Sequence, residues 1–118
     1  MLKIRSEQVQ LLAESSQRVF ERRMLAHIEK HFPEHYLKLG QHDCLQLICF
    51  GVERGKLYDF VSERNVCKYI DLMLCFGVEF DTDSKQPWAA KILNDESWVS
   101  VDMKMSALFE QGILQLEA

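Results

Sequence analysis

Residues 62–77 read SERNVCKYIDLMLCFG and carry a helix pattern with a cap at each end. Ser62 suits the N-cap position, since its hydroxyl can accept a hydrogen bond from an early backbone N–H, and Glu63 lies at the positive end of the helix dipole. Apolar residues then recur at helical spacing at Val66, Tyr69, Ile70, Met73 and Leu74. Gly77 is typical of a helix C-terminus. This stretch therefore predicts an amphipathic helix between Ser62 and Gly77.

Similar boundary residues divide the chain before this helix. Ser6 can cap a long helix that extends to about His31. Pro33 interrupts that helix because it lacks an N–H, and it can begin a short helix that stops at Gly40. Asp43 can cap the next helix. Three helices are thus expected before Ser62.

The chain after Gly77 shows one loop and two more helices. Residues 80–86, FDTDSKQ, are polar and typical of a loop, and Pro87 suits the first turn of the helix that follows. A final helix is expected from about Ser100. Residues 98–101, WVSV, alternate as a strand would, but runs of this kind are too few for a sheet. The sequence predicts an all-α, irregular bundle of about five to six helices in one domain over residues 1–118.

The composition of the chain disfavours several classes of function. The chain has 118 residues, of which 47% are hydrophobic and 27% charged, so it is expected to fold rather than stay disordered. Its formal charge of −4 disfavours nucleic acid as a partner. The first residues do not resemble a secretory signal, and no apolar run approaches the roughly 18 residues that span a bilayer. We expect a cytoplasmic protein with no membrane partner, in which the four cysteines behave as small buried hydrophobes.

Candidate chemical sites in the sequence are incomplete. His27 and His31 could share a helix face, yet the glutamate that follows the first histidine of a zinc metalloprotease motif is missing. Asp81 and Asp83 resemble the start of a calcium loop that lacks its glycine and its bidentate glutamate. Cys67 lies within a helix beside apolar residues, where a thiol is usually packed. We expect no catalytic residue, no metal and no cofactor, which disfavours a small metal-dependent enzyme.

Charged and polar residues among the apolar segments form a second kind of candidate. A lone buried charge is costly, so such residues are expected to pair across helices as a structural network. A ligand-binding role is the alternative. The expected members of the network are Glu53, Arg54, Arg64, Tyr69 and Asp71.

Several short blocks between about residues 20 and 95 resemble a family of small helical bacterial proteins associated with type VI secretion effector gene clusters. The blocks are Phe32-Pro33, Gly51-Val52-Glu53-Arg54, the stretch from Glu63 to Met73, Phe80-Asp81 and Pro87-Trp88-Ala89. The resemblance implies a cytoplasmic, non-enzymatic accessory that binds a secreted effector or its adaptor before loading onto the secretion spike. An immunity protein that neutralises a cognate toxin is the alternative in the same setting.

The loop at the end of these blocks is the predicted partner-binding surface. It carries the acids Asp81 and Asp83 between two large aromatic residues, Phe80 and Trp88, and aromatic side chains often dominate interface energies. The alternative is that Phe80 and Trp88 fold inward and hold the loop on the core, which is favoured for Trp88. The sequence does not indicate the oligomeric state.

Overall fold

In a computed structural model, the backbone is described from Ser6 to Ala118 and the side chains from Ser16 onward. Over this range the chain forms helices and no strand: α1 Ser6–His31, α2 Pro33–Lys56, α3 Glu63–Phe76, α4 Pro87–Leu93 and α5 Val101–Glu117. The predicted all-α class is confirmed. The predicted cap at Ser6 depends on a side chain outside the described range. None of the described helices is long and apolar enough to cross a membrane.

The chain divides into two compact units, with the boundary inside α2. The first unit extends to Leu45, and the second comprises Gln46–Ala118. In the first unit, Phe32 separates α1 from α2, as Pro33 predicts. Gly40 has φ 80° and ψ 167°, which are not helical values, so α2 consists of two helical segments and the first ends at Gly40, as predicted. Asp43 lies in the first turn of the second segment, which begins slightly earlier than the predicted cap.

The second unit begins and ends its helices where the sequence predicts. Ser62 Oγ accepts a hydrogen bond from Asn65 N at 3.2 Å, and Ser100 Oγ accepts one from Met103 N at 3.1 Å. Gly77 has φ 108° and donates its N–H to the Met73 carbonyl at the end of α3. Residues 98–101 are not a strand, since Ser100 caps α5.

Close helix packing in the second unit depends on two glycines. A Cβ on Gly112 of α5 would lie 2.7 Å from Leu72 Cδ2 of α3. A Cβ on Gly51 of α2 would lie 2.6 Å from Ile70 Cγ1. The absent side chains therefore let α2 and α5 approach α3. The fully buried large residues of this unit include Ile48, Phe60, Tyr69, Ile70, Met73, Phe80, Met105 and Leu108.

Candidate functional site

A buried carboxylate, Asp81, is the centre of the polar contacts in the second unit. Its side chain is fully buried, and its Oδ2 accepts a hydrogen bond from Arg54 Nε at 2.6 Å. The same Oδ2 accepts a second bond from the Tyr58 hydroxyl, also at 2.6 Å. Arg54 retains 28% of its side-chain exposure. The carboxylate is thus neutralised from one side by a cation that still reaches water.

Phe80 brings Asp81 into the interior. Its ring is fully buried and lies 5.1 Å from the ring of Tyr69 and 6.3 Å from that of Trp88. Because Asp81 is the next residue, burial of the aromatic side chain places the carboxylate beside Arg54. The turn after α3 is therefore fixed both by aromatic packing and by an ion pair.

Two tyrosines next to Asp81 are held in the neutral form. Burial raises the pKa of Tyr58 to about 12, and its hydrogen bond to the Asp81 carboxylate adds to the shift. Burial also raises the pKa of Tyr69, and the Asp81 charge acts in the same direction. The Tyr69 hydroxyl and Asp81 Oδ1 are buried and have no hydrogen-bond partner among the described atoms. Both phenols are consequently protonated over the whole physiological pH range.

The structure places the residues of the predicted polar network at different positions. Arg54 and Tyr69 lie in the cluster around Asp81. Glu53 instead pairs with Lys56 at 2.9 Å on the surface. Arg64 is exposed and Asp71 half-buried. Sequence reasoning missed Tyr58, and it assigned Asp81 to the surface, because residues 23 and 27 positions apart carry no local sign of pairing.

The predicted partner-binding loop is largely turned inward. Phe80 and Asp81 are buried, so the expectation that they are surface residues is corrected by the aromatic packing and the ion pair described above. Trp88 is half-buried, and its Nε1 donates to Gln86 Oε1 at 2.8 Å. Asp83 is half-buried and accepts a hydrogen bond from Lys85 N. Partner binding through Asp83 and Trp88 stays a prediction.

An open cavity of about 540 Å³ lies beside Tyr58, where the turn after α2 faces the segment between α4 and α5. We call it the Val99 groove. Its lining includes the apolar residues Leu57, Trp98 and Val99, the acids Asp59, Asp95 and Glu96, and Lys104. Val99 is 88% exposed and Leu57 68% exposed. The groove thus combines uncovered apolar side chains with carboxylates.

Tyr58 joins the groove to the buried cluster. Its hydroxyl donates to Asp81, while its carbonyl accepts a hydrogen bond from Lys104 Nζ at 3.4 Å. The Lys104 ammonium also lies 5.6 Å from the ring centroids of Tyr58 and Phe60. The contacts of Tyr58 with Asp81 and Lys104 therefore hold this side of the groove in place without a bound partner.

The turn that carries Leu57 and Asp59 has the geometry of a Schellman motif. Phe60 N donates to the Gly55 carbonyl at 2.9 Å, and Asp59 N donates to the Lys56 carbonyl at 3.1 Å. Asp59 has φ 66°, the left-handed conformation that glycine usually supplies at this position. The sequence holds an aspartate there, on the edge of the groove.

The cysteines are distributed differently from the expectation of buried thiols. Cys44 is buried and Cys67 half-buried, whereas Cys49 and Cys75 are exposed. The expectation is therefore wrong for Cys49 and Cys75, whose helix positions face solvent. Burial raises the pKa of Cys67 to about 11, with a further contribution from the Asp71 charge. A thiol with that pKa is protonated at neutral pH, which opposes its use as a nucleophile.

The two candidate zinc ligands lie in the first unit. The His27 and His31 rings are 4.7 Å apart between centroids, with His27 half-buried and His31 exposed. The i, i+4 spacing thus places both imidazoles on one face of α1, as expected. The absence of a metal from this protein stays a prediction.

No family model, curated protein or solved structure matches the chain. The resemblance to the secretion-associated family therefore remains a sequence-based expectation.

Proposed function

We propose that this chain is a non-enzymatic protein-binding module that serves as an accessory to a secreted effector or to its adaptor. The observation that carries the proposal is the Val99 groove, with its uncovered apolar side chains beside a rigid wall. Such a surface is typical of protein recognition, because covering the apolar side chains removes them from water. The family resemblance supplies the secretion setting.

The groove is well suited to binding because it is already formed. Tyr58 is held by Asp81 and Lys104, and Asn65 Nδ2 donates to Asp102 Oδ1 at 2.8 Å, which ties the start of α3 to the start of α5. A partner that docks there orders few additional groups, so less of the contact energy is lost to conformational entropy.

The test is affinity purification of the tagged chain from its native host. We expect an effector or effector adaptor to co-purify with the wild type, and much less of it with the double variant Leu57→Ser, Val99→Ser. Both side chains are exposed, so the variant should keep the wild-type melting temperature. A matched variant, Leu114→Ser with Leu116→Ser, removes exposed apolar residues from α5 and should capture as much as the wild type. Equal capture by all three proteins would contradict the proposal.

The alternative of an immunity protein is favoured by the carboxylates Asp59, Asp95 and Glu96 on the groove, which resemble the acidic surfaces that block cationic active sites. Co-expression with the co-purified effector separates the two roles. An accessory should raise the amount of soluble effector while the effector stays toxic. Restored growth of the producing cells would instead establish immunity.

A further inference from the structure

We propose that the Val99 groove binds a basic, amphipathic segment of its partner, with apolar side chains of the segment against Leu57 and Val99 and its cations near the groove carboxylates. This inference rests on the proposed protein-binding function and adds the chemistry of the partner.

The apolar half of the site comes from side chains that nothing covers within the second unit. Val99 is 88% exposed and Leu57 68% exposed, and Trp98 is half-buried beside them. The volume of about 540 Å³ holds several side chains of a bound segment. An apolar face on the partner is thus the natural complement.

The charges of the groove favour a partner segment with a positive net charge. Asp59, Asp95 and Glu96 are exposed acids. Among the described residues that line the groove, Lys104 is the single cation, and its ammonium already contacts the Tyr58 and Phe60 rings. Asp95 Oδ1 accepts hydrogen bonds from Ser97 N and Ser97 Oγ, and these bonds leave its negative charge in place. The groove should therefore attract lysines or arginines of a partner and repel an acidic segment.

Asp59 contributes a carboxylate to the groove at a turn position that glycine usually occupies. A non-glycine residue at φ 66° is less stable than glycine in the same turn. Its carboxylate also follows the C-terminus of α2, where the helix dipole disfavours a negative charge. Glycine would serve the Schellman motif better. The Asp59 carboxylate thus adds a negative charge to the edge of the groove.

The binding test uses a fluorescently labelled helical peptide of roughly 18 residues, with leucines on one face and lysines on the other. Fluorescence anisotropy should give a dissociation constant on the order of 10 μM. A peptide with glutamates in place of the lysines should bind at least about tenfold more weakly, and so should one with serines in place of the leucines. Equal binding of the lysine and glutamate peptides would overturn the proposal.

Matched variants locate the contact. Asp59→Asn with Glu96→Gln should weaken binding of the lysine peptide by about tenfold. Glu110→Gln with Glu117→Gln makes the same change in net charge at exposed positions of α5, and it should alter binding by less than about twofold. If both double variants lose the same affinity for the peptide, the attraction is a non-specific effect of an acidic protein. The groove would then not be the binding site.

A single glycine substitution separates binding from folding. Asp59→Gly should raise the melting temperature, because it relieves the left-handed conformation, and should weaken peptide binding at the same time. An Asp59→Gly protein that binds the peptide as well as the wild type does would contradict the role of this carboxylate.

Two further outcomes keep this inference distinct from the proposed function. If Leu57→Ser with Val99→Ser abolishes capture of the host partner while the charge variants capture it normally, the protein-binding function holds and the basic partner is rejected. If sedimentation shows a dimer that the Leu57 and Val99 variant dissociates, the occupant is a second copy of this chain and the inference is overturned.

Discussion

Asp81 connects three parts of the second unit through one carboxylate, because Arg54 belongs to α2, Tyr58 to the turn after it, and Asp81 itself to the turn after α3. Removing a charge from a buried pair leaves the other charge without its partner, and this loss usually exceeds the net stability of the pair. The partial exposure of Arg54 limits the penalty, since water can solvate its guanidinium. The cluster is therefore expected to contribute to stability without dominating it.

Asp81→Asn should lower the free energy of unfolding by about 2–3 kcal/mol, since two charge-assisted hydrogen bonds are weakened. Asp83→Asn, in the same loop, should lower it by under about 1 kcal/mol, because the Asp83 carboxylate accepts an exposed hydrogen bond from Lys85 N. Urea denaturation of both variants measures the difference. Equal stabilities of Asp81→Asn and the wild type would mean that the Arg54 pair is not stabilising.

Alkaline pH should destabilise the fold through Tyr58. Its pKa is raised from 10 to about 12 in the folded protein, so between these values the unfolded chain releases the phenol proton more readily. The stability due to the neutral phenol is thus fully present below pH 10 and is lost as the pH rises through about 12. Tyr58→Phe should lose less stability over this interval than the wild type. Denaturant midpoints of the wild type, Tyr58→Phe and the control Tyr36→Phe, measured at a series of alkaline pH values, test this prediction. If the midpoint of Tyr58→Phe falls with pH as steeply as that of the wild type, the prediction is contradicted.

The helices illustrate which features a sequence predicts well. Ser62, Gly77, Pro87 and Ser100 mark helix boundaries through their own backbone or capping chemistry, and the structure places boundaries at each of them. Gly40 is a boundary of the same kind, since its φ of 80° and ψ of 167° end the helical segment that begins at Pro33, as predicted. Helix boundaries that have a local physical cause were therefore predicted from the sequence.

Helix packing gives a prediction at Gly51. Alanine normally favours a helix over glycine by about 1 kcal/mol, but its Cβ would lie 2.6 Å from Ile70 Cγ1 and 3.1 Å from Met73 Sδ. Ile70 is β-branched and fully buried, so it cannot move away easily. Gly51→Ala should therefore destabilise by about 1–2 kcal/mol despite its better helix propensity. Ser106→Ala, at an exposed site of α5, is the control and should be neutral; a gain in melting temperature for Gly51→Ala would show that α2 and α3 can separate.

The candidate site was harder to predict than the helices because it is formed by long-range contacts. Arg54 was expected to pair, since a charge among apolar residues needs a partner, and it contacts Asp81. The Tyr69 hydroxyl lies in the same cluster but has no hydrogen-bond partner among the described atoms. The sequence did not identify Asp81 as the partner of Arg54, because this pairing depends on the turn after α3. In that turn Phe80 is buried, and Asp81 is buried next to it. The Val99 groove joins residues from two segments about 40 positions apart, and no motif in either segment marks it.

Both the formal charge of −4 and the groove carboxylates attract a basic partner, the first over a long distance and the second at close contact. Long-range attraction by the whole protein accelerates encounter and is screened by salt, whereas apolar contacts at Val99 mainly slow dissociation. Raising the salt from about 0.05 M to about 0.5 M should therefore reduce the association rate of the lysine peptide by about tenfold and change its dissociation rate much less. Stopped-flow anisotropy measures both rates, and Val99→Ser should show the complementary pattern of a faster dissociation with a nearly unchanged association. An association rate that is independent of salt would mean that the acidic character of the groove does not guide its partner.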